Sequence, residues 1–214
     1  MLFRSSGASI AVNLTYADAG SKQTASVAGG LVKADSVTVT SNFNNNMTSA
    51  GATSVVGATV GESAELVLLS VKANASIAAI TADVKASFEA ASAAIANAIN
   101  VTTNGTSFAD ADVEAPTFSL TGVNVALNVM VAKANGSFTA IMAGGENTIT
   151  AGSANVNADV TVKAEAVGEA PVFDVSYASL KTNVATAITG ANVNALVGGG
   201  NGVTAGNKIG RAHV

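Results

Sequence analysis

A segment of 21 residues occurs twice in this chain, and that recurrence limits the fold more than any other feature. Residues Ile10 to Gly30 read IAVNLTYADAGSKQTASVAGG, and Val125 to Gly145 read VALNVMVAKANGSFTAIMAGG. The two align without a gap and share Ala, Asn, Ala, Ala, Thr-Ala and a closing Ala-Gly-Gly. A third copy is expected where Lys72-Ala73-Asn74-Ala75-Ser76 matches Lys133-Ala134-Asn135-Gly136-Ser137, and Ala79-Ile80 matches Ala140-Ile141. Thr186-Ala187-Ile188-Thr189-Gly190 supplies a fourth. Glu114-Ala115-Pro116-Thr117-Phe118 returns as Glu169-Ala170-Pro171-Val172-Phe173, and Ala34-Asp35-Ser36-Val37-Thr38-Val39 resembles Ala158-Asp159-Val160-Thr161-Val162, with an echo at Ala111-Asp112-Val113. The Thr-Ala-Ile/Val element begins near residues 24, 78, 139 and 186, so its spacing varies. A constant strand pattern with variable spacing points to loops inserted between stacked layers.

Within each copy the period is two. Val123, Val125, Leu127, Val129 and Val131 alternate with Asn124, Ala126, Asn128, Met130 and Ala132. Ile10, Val12, Leu14 and Tyr16 alternate likewise with Ala11, Asn13, Thr15 and Ala17. Such alternation in β-branched runs marks half-buried strands. Gly29-Gly30, Gly144-Gly145 and Gly198-Gly199-Gly200 offer the positive φ that sharp corners need. Asp83 to Asn100 is alanine-rich, which favours helix. The repeat nevertheless puts a glycine turn and a strand there, and strand and loop are the expectation.

One repeat cannot bury its own apolar stripe. Stacked copies can, because their backbones pair between layers at about 4.8 Å and their side chains form a continuous interior column. The expected fold is all-β, a parallel β-helix or related β-solenoid over Ser6 to Lys208. Its interior would be Val, Ile, Leu and Ala, with Asn or Thr laddered from coil to coil and unprotected strand edges at both ends.

Composition fits that picture. The chain is 49% hydrophobic, too apolar for a disordered segment, yet only 4% aromatic and without tryptophan, as suits thin regular layers. No cysteine is present, which removes disulfides and thiolate metal sites. Clustered Lys or Arg for nucleic acid is missing, and no apolar run reaches the roughly 20 residues of a membrane-spanning helix. A transmembrane barrel would call for aromatic girdles, whereas the chain holds two tyrosines.

The two ends are read separately. Back-translation of Met1 to Ser5 and of Lys208 to Val214 gives complementary strings that look like a sequencing-library adapter read through at each end. Residues 1–5 and 209–214 are therefore expected to be scars, and 6–208 a slice of a longer reading frame. Setting the scars aside removes His213, Arg4 and Arg211, which leaves eight lysines against 14 acidic residues and a net charge of about −6 rather than −4.

The order Val-x-Val-Ala-Leu/Val-Asn, then Thr-Ala-Ile/Val, then Ala-Asp-x-Val-x-Val resembles the repeats of giant bacterial surface adhesins. These are the filamentous-haemagglutinin-like proteins and autotransporters, in particular leukotoxin-like filamentous adhesins. The matching pieces are Ile10–Leu14, Thr24–Val27, Ala34–Val39, Val123–Val129, Thr139–Ile141 and Ala158–Ala164. The resemblance implies export, an extracellular or cell-surface location and a non-catalytic β-helical stalk. Its partners would be adjacent repeats of the parent chain and a host or matrix surface. It implies no cofactor and supplies no catalytic, cofactor-binding or metal-ligating residue.

Other readings rest on individual clusters. Asp110, Asp112 and Glu114 alternate, so they share one strand face. A β-helical polysaccharide lyase or glycosidase, or a calcium-binding surface-layer-type protein, would need carboxylates converging in that way. Alternating charge is also what a solvated strand face carries, and that is the reading preferred here. Glu62 and Glu65 are expected to mark a turn before Leu66–Val71. The Glu-Ala-Pro-x-Phe pair reads as strand starts with a phenylalanine packed at a corner. Gly198 to Gly202 lacks the Gly-Lys-Ser/Thr of a phosphate loop and reads as a turn. Without a histidine inside 6–208, a Ser-His-Asp triad cannot assemble there.

Overall fold

A computed structural model describes residues 5–43, 54–60, 65–113, 119–143, 148–168, 174–198 and 203–213. Among these residues nine strands follow one another: β1 (Ser5–Ala28), β2 (Leu31–Phe43), β3 (Ser54–Val60), β4 (Glu65–Glu89), β5 (Ser92–Val113), β6 (Ser119–Met142), β7 (Ile149–Gly168), β8 (Asp174–Val197) and β9 (Val203–His213). They form two all-parallel sheets. The first has the order β1-β4-β6-β8 and the second β2-β5-β7-β9, with β3 also paired to β5. The chain thus alternates between sheets and climbs one strand at each return, the connectivity of a parallel β-solenoid. Asp83 to Asn100 is strand, a short corner at Ala90 and Ala91, then strand again. Alanine's helix preference yields because most of this stretch pairs with neighbouring coils, Asp83 to Phe88 in the first sheet and Ser92 to Ile95 and Ala98 to Asn100 in the second.

The coil step follows from the pairing. Ile10 stacks on Val71, Val71 on Val125 and Val125 on Leu180, steps of 61, 54 and 55 residues. From Ile10–Val27 to Val125–Met142, the gapless match is therefore two coils, in true register. The surplus of the first coil enters between Phe43 and Ser54, which pair with Gly105 and Ser107 of the same strand. Strands β2 and β3 thus pair with successive stretches of the one strand β5.

Three other sequence matches do not stack. Lys72 pairs with Ala126 rather than Lys133, and Thr186 with Val131 rather than at the level of Thr139. Ala158 reaches Thr103 and through it Ser41, seven residues beyond Ala34. Short alanine-rich words recur by composition alone, and an odd displacement would have turned every side chain to the opposite face.

Corners are built backbone to backbone. Gly29 and Gly30 take φ of 70° and 66°. Gly29 N donates to Glu89 O at 3.1 Å, and Ser92 N to Gly30 O at 3.1 Å. Gly198 also has positive φ, 154°, and its N donates to Met142 O at 2.9 Å. Gly144, Gly145, Gly199 and Gly200 lie outside the described residues.

The core lies between the sheets in two adjoining clusters. One joins Phe88 and Met142 of the first sheet to Ile95, Ile99, Val101, Ile149 and Val156 of the second. The other joins Ile80, Val84, Met130 and Phe138 to Phe43, Val113 and Val160. Alanine fills most remaining positions, so the sheets approach closely. Phe138 shows how tight the fit is: a Cβ on Gly105 would stand 2.2 Å from its ring, and one on Gly136 2.4 Å. Phe43 meets the same ring edge-on, 6.5 Å between centroids.

The expected interior column is corrected over half of the first sheet. Val123 and Leu127 are exposed and Val125 and Val129 half-buried, while Asn124, Ala126, Asn128 and Met130 are buried. The cause is continuity. Strand β6 keeps one register from Val123 to Met142, and its bulkiest residues, Phe138 and Met142, face inward. Period-two geometry then turns the even-numbered residues from Asn124 to Met142 inward and the odd-numbered ones from Val123 to Ile141 outward. Asparagine is sent inside, leucine out.

Candidate functional site: the faces of the stack

Inside the first sheet, the even positions of β6 and their stacking partners create a ladder of amides. Asn13 Nδ2 donates to Asn74 Oδ1 at 2.8 Å, Asn74 Nδ2 to Asn128 Oδ1 at 2.8 Å, and Asn128 Nδ2 to Asn183 Oδ1 at 2.9 Å. Parallel, in-register coils place identical side chains one strand spacing apart, the span at which one asparagine's amide meets the next one's carbonyl. Each bond also selects register, because a coil displaced by one residue would bury an amide against alanine. The expectation of laddered Asn is met at these four positions. The word Lys-Ala-Asn at Asn74 and Asn135 hid the alignment, since Asn74 stacks on Asn128 and not on Asn135.

The second sheet has looser ladders on its outer face. Asn104 donates to Asn42 at 3.1 Å and Asn155 to Asn100 at 2.9 Å. Between Ile95 and Ala98 the register shifts, so that Ala96 and Asn97 together oppose Gly152. Asn97 uses the bulge to reach Asp35 Oδ1 at 2.8 Å. Gly152 is required there, because a Cβ would stand 2.5 Å from the Asn97 carbonyl oxygen.

The acidic cluster resolves as follows. Asp110 and Asp112 share the outer face of β5, half-buried among neighbours, and Glu114 lies outside the described residues. Asp110 is directly opposite Glu165 of the next coil. Glu165 takes a 2.7 Å ion pair from Lys163, whose ammonium sits 4.5 Å above the Phe108 ring. Like charges opposite each other cost stability, and Lys163 offsets that repulsion. Among the described residues no group of three His, Cys, Asp or Glu gathers to hold a metal ion. Both Glu-Ala-Pro-x-Phe words fall outside the described residues, as does Glu62; Glu65 opens β4. Among the described residues no helix is long and apolar enough to cross a membrane.

The outer face of the first sheet is divided. Its later half is polar, with Asp83, Lys85, Asn135, Ser137 and Asn192, and carries a shallow depression of about 500 Å³ over Thr81, Asn135 and Gly190. Lys22 and Asp83 approach to 3.7 Å there, both exposed. Its earlier half is apolar, with Ile10, Val12, Leu14, Tyr16, Val123, Leu127 and Leu180 exposed. Chemically, the stack as described offers repeated lateral surfaces and a register-setting interior. Set against known protein families, curated proteins and solved structures, the chain finds no match.

Proposed function

We propose that this chain is a structural stalk segment of a large exported surface adhesin, non-catalytic, which spaces or displays binding domains away from a cell. The observation that supports the reading is the coil-to-coil register. Successive coils repeat the same columns at steps of 61, 54 and 55 residues, and an amide ladder, buried at Asn74 and Asn128, runs through all four. A stack of that kind extends by adding coils, each satisfied by its neighbours alone, which is the property a spacer needs. Adjacent repeats of the parent chain are then its first partners, and its outward faces are what a host or matrix surface would meet.

Recovery of the flanking DNA free of adapter sequence tests this. The reading expects an export signal, a secretion domain or a surface anchor in the same frame, with further coils between. A frame that continues into a compact intracellular enzyme would refute it.

A further inference from the structure

The geometry points to a second copy of this chain, packed face to face, as the occupant of the apolar half of the first sheet's outer surface. Five outward columns define that half, running from Ala8-Leu69-Val123-Ala178 to Tyr16-Ile77-Val131-Thr186 across all four strands. None of their residues is charged. Ile10 is 78% exposed, Leu180 64% and, at the centre, Leu127 44%. Asp18 and Lys133, in the next column, fence the patch off from the polar half.

Extent favours a protein partner of the same kind. Four strands about 4.8 Å apart, each with five outward residues about 6.7 Å apart, cover roughly 600 Å² on one copy. Two copies would bury about 1,200 Å² in all, the lower bound for a specific protein interface. A patch of this size is also at the upper limit of what a soluble monomer leaves exposed. Shape favours it further. Branched side chains stand on a regular lattice, and an identical lattice opposite lets the ridges of each copy enter the grooves of the other, as in stacked sheets. A twofold arrangement makes such a contact closed, so it yields dimers and not fibres. Paired stalks would be stiffer than single ones. This inference does not depend on the stalk reading, since it concerns the purified chain alone.

Sedimentation of the purified chain at about 50 µM tests it, together with two kinds of variant. The unaltered chain is expected to run at twice 20.8 kDa. Leu127→Lys should weaken the dimer about thirty-fold or more while the circular dichroism stays unchanged, because it plants a charge at the centre of the contact. Thr139→Lys, on the polar half of the same strand, should leave dimerisation intact. The chain has no cysteine, so Leu127→Cys should form an intermolecular disulfide readily and Ser137→Cys should not. That comparison stands even if Leu127→Lys fails to fold. A monomeric unaltered chain overturns the proposal. So do polymers indifferent to Leu127→Lys, which would mean pairing through strand edges, and a monomer that floats with phosphatidylcholine vesicles.

Discussion

Replacing Asn128 by alanine removes the centre of the buried ladder, and its cost can be worked from the contacts. Asn128 accepts from Asn74 at 2.8 Å and donates to Asn183 at 2.9 Å. Two amide hydrogen bonds contribute about 1 kcal/mol each, net of water. The acceptor used by Asn74 Nδ2 disappears at a residue only 2% exposed, which adds about 1–2 kcal/mol of desolvation. Asn183 is exposed and turns to water without penalty. The sum is about 3–4 kcal/mol, a large share of the stability of an ordinary domain. Urea titration followed by circular dichroism near 217 nm should show the midpoint falling with the slope unchanged. Asn104→Ala is the matched control. It removes one 3.1 Å bond in an exposed setting, worth about 0.5 kcal/mol or less by the same reasoning. If the two variants agree to within about 0.5 kcal/mol, the ladder does not hold the register and the reasoning fails.

Gly105→Ala should destabilise by about 1–3 kcal/mol in the same titration, because its methyl would meet the Phe138 ring, which is fully buried and has nowhere to go. Gly152→Ala should cost a similar amount by pressing on the Asn97 carbonyl at the bulge, whereas Gly20→Ala, with open space around its Cβ, should be close to neutral. Tyr16 donates its hydroxyl to Asp18 at 3.0 Å, and that bond, with the nearby carboxylate charge, raises its pKa above the ordinary value of 10.0. The folded chain therefore holds this proton more tightly than the unfolded one, so any stability the pair contributes is present below pH 10 and lost as pH rises through the raised value. Absorbance at 295 nm should show Tyr16 ionising earlier in Asp18→Asn than in the unaltered chain; an unchanged titration would remove the interaction.

Strand character, parallel stacking and the two-coil match of Ile10 to Val125 were legible because they depend on period and repetition alone. The face was not. Val123 to Val131 contains the most hydrophobic alternation in the chain, yet alternation identifies two faces without saying which is buried. That choice is made ten residues further on, where Phe138 and Met142 are too large to leave in water and drag the whole strand's parity with them. The single-coil step was obscured for a different reason. Alanine, asparagine and threonine recur so often that Lys72-Ala73-Asn74 matches Lys133-Ala134-Asn135 by chance, and only backbone pairing separates that match from the true partner at Asn128. Gly152 gives no sequence signal at all, since its necessity comes from a bulge in the neighbouring coil.

The same continuity explains why polar ladder and apolar patch occur together. A strand of 24 residues with an unbroken register can satisfy an apolar core along only part of its length when the hydrophobic pattern changes phase midway. Strand β6 changes phase near Ala132: before it Val123, Val125, Leu127, Val129 and Val131 are odd-numbered with Met130 against them, and after it the largest, Phe138 and Met142, are even-numbered. A bulge at that point would have brought Leu127 inside and expelled Asn128. Instead the amides of Asn13, Asn74, Asn128 and Asn183 bond to one another along the inward face, so burial of Asn74 and Asn128 is offset, and the leucine and valine ridge is released to the outside. The surface that could bind another protein is therefore a direct consequence of the ladder that fixes the coils, and the two properties should be lost or kept together when the phase of β6 is altered.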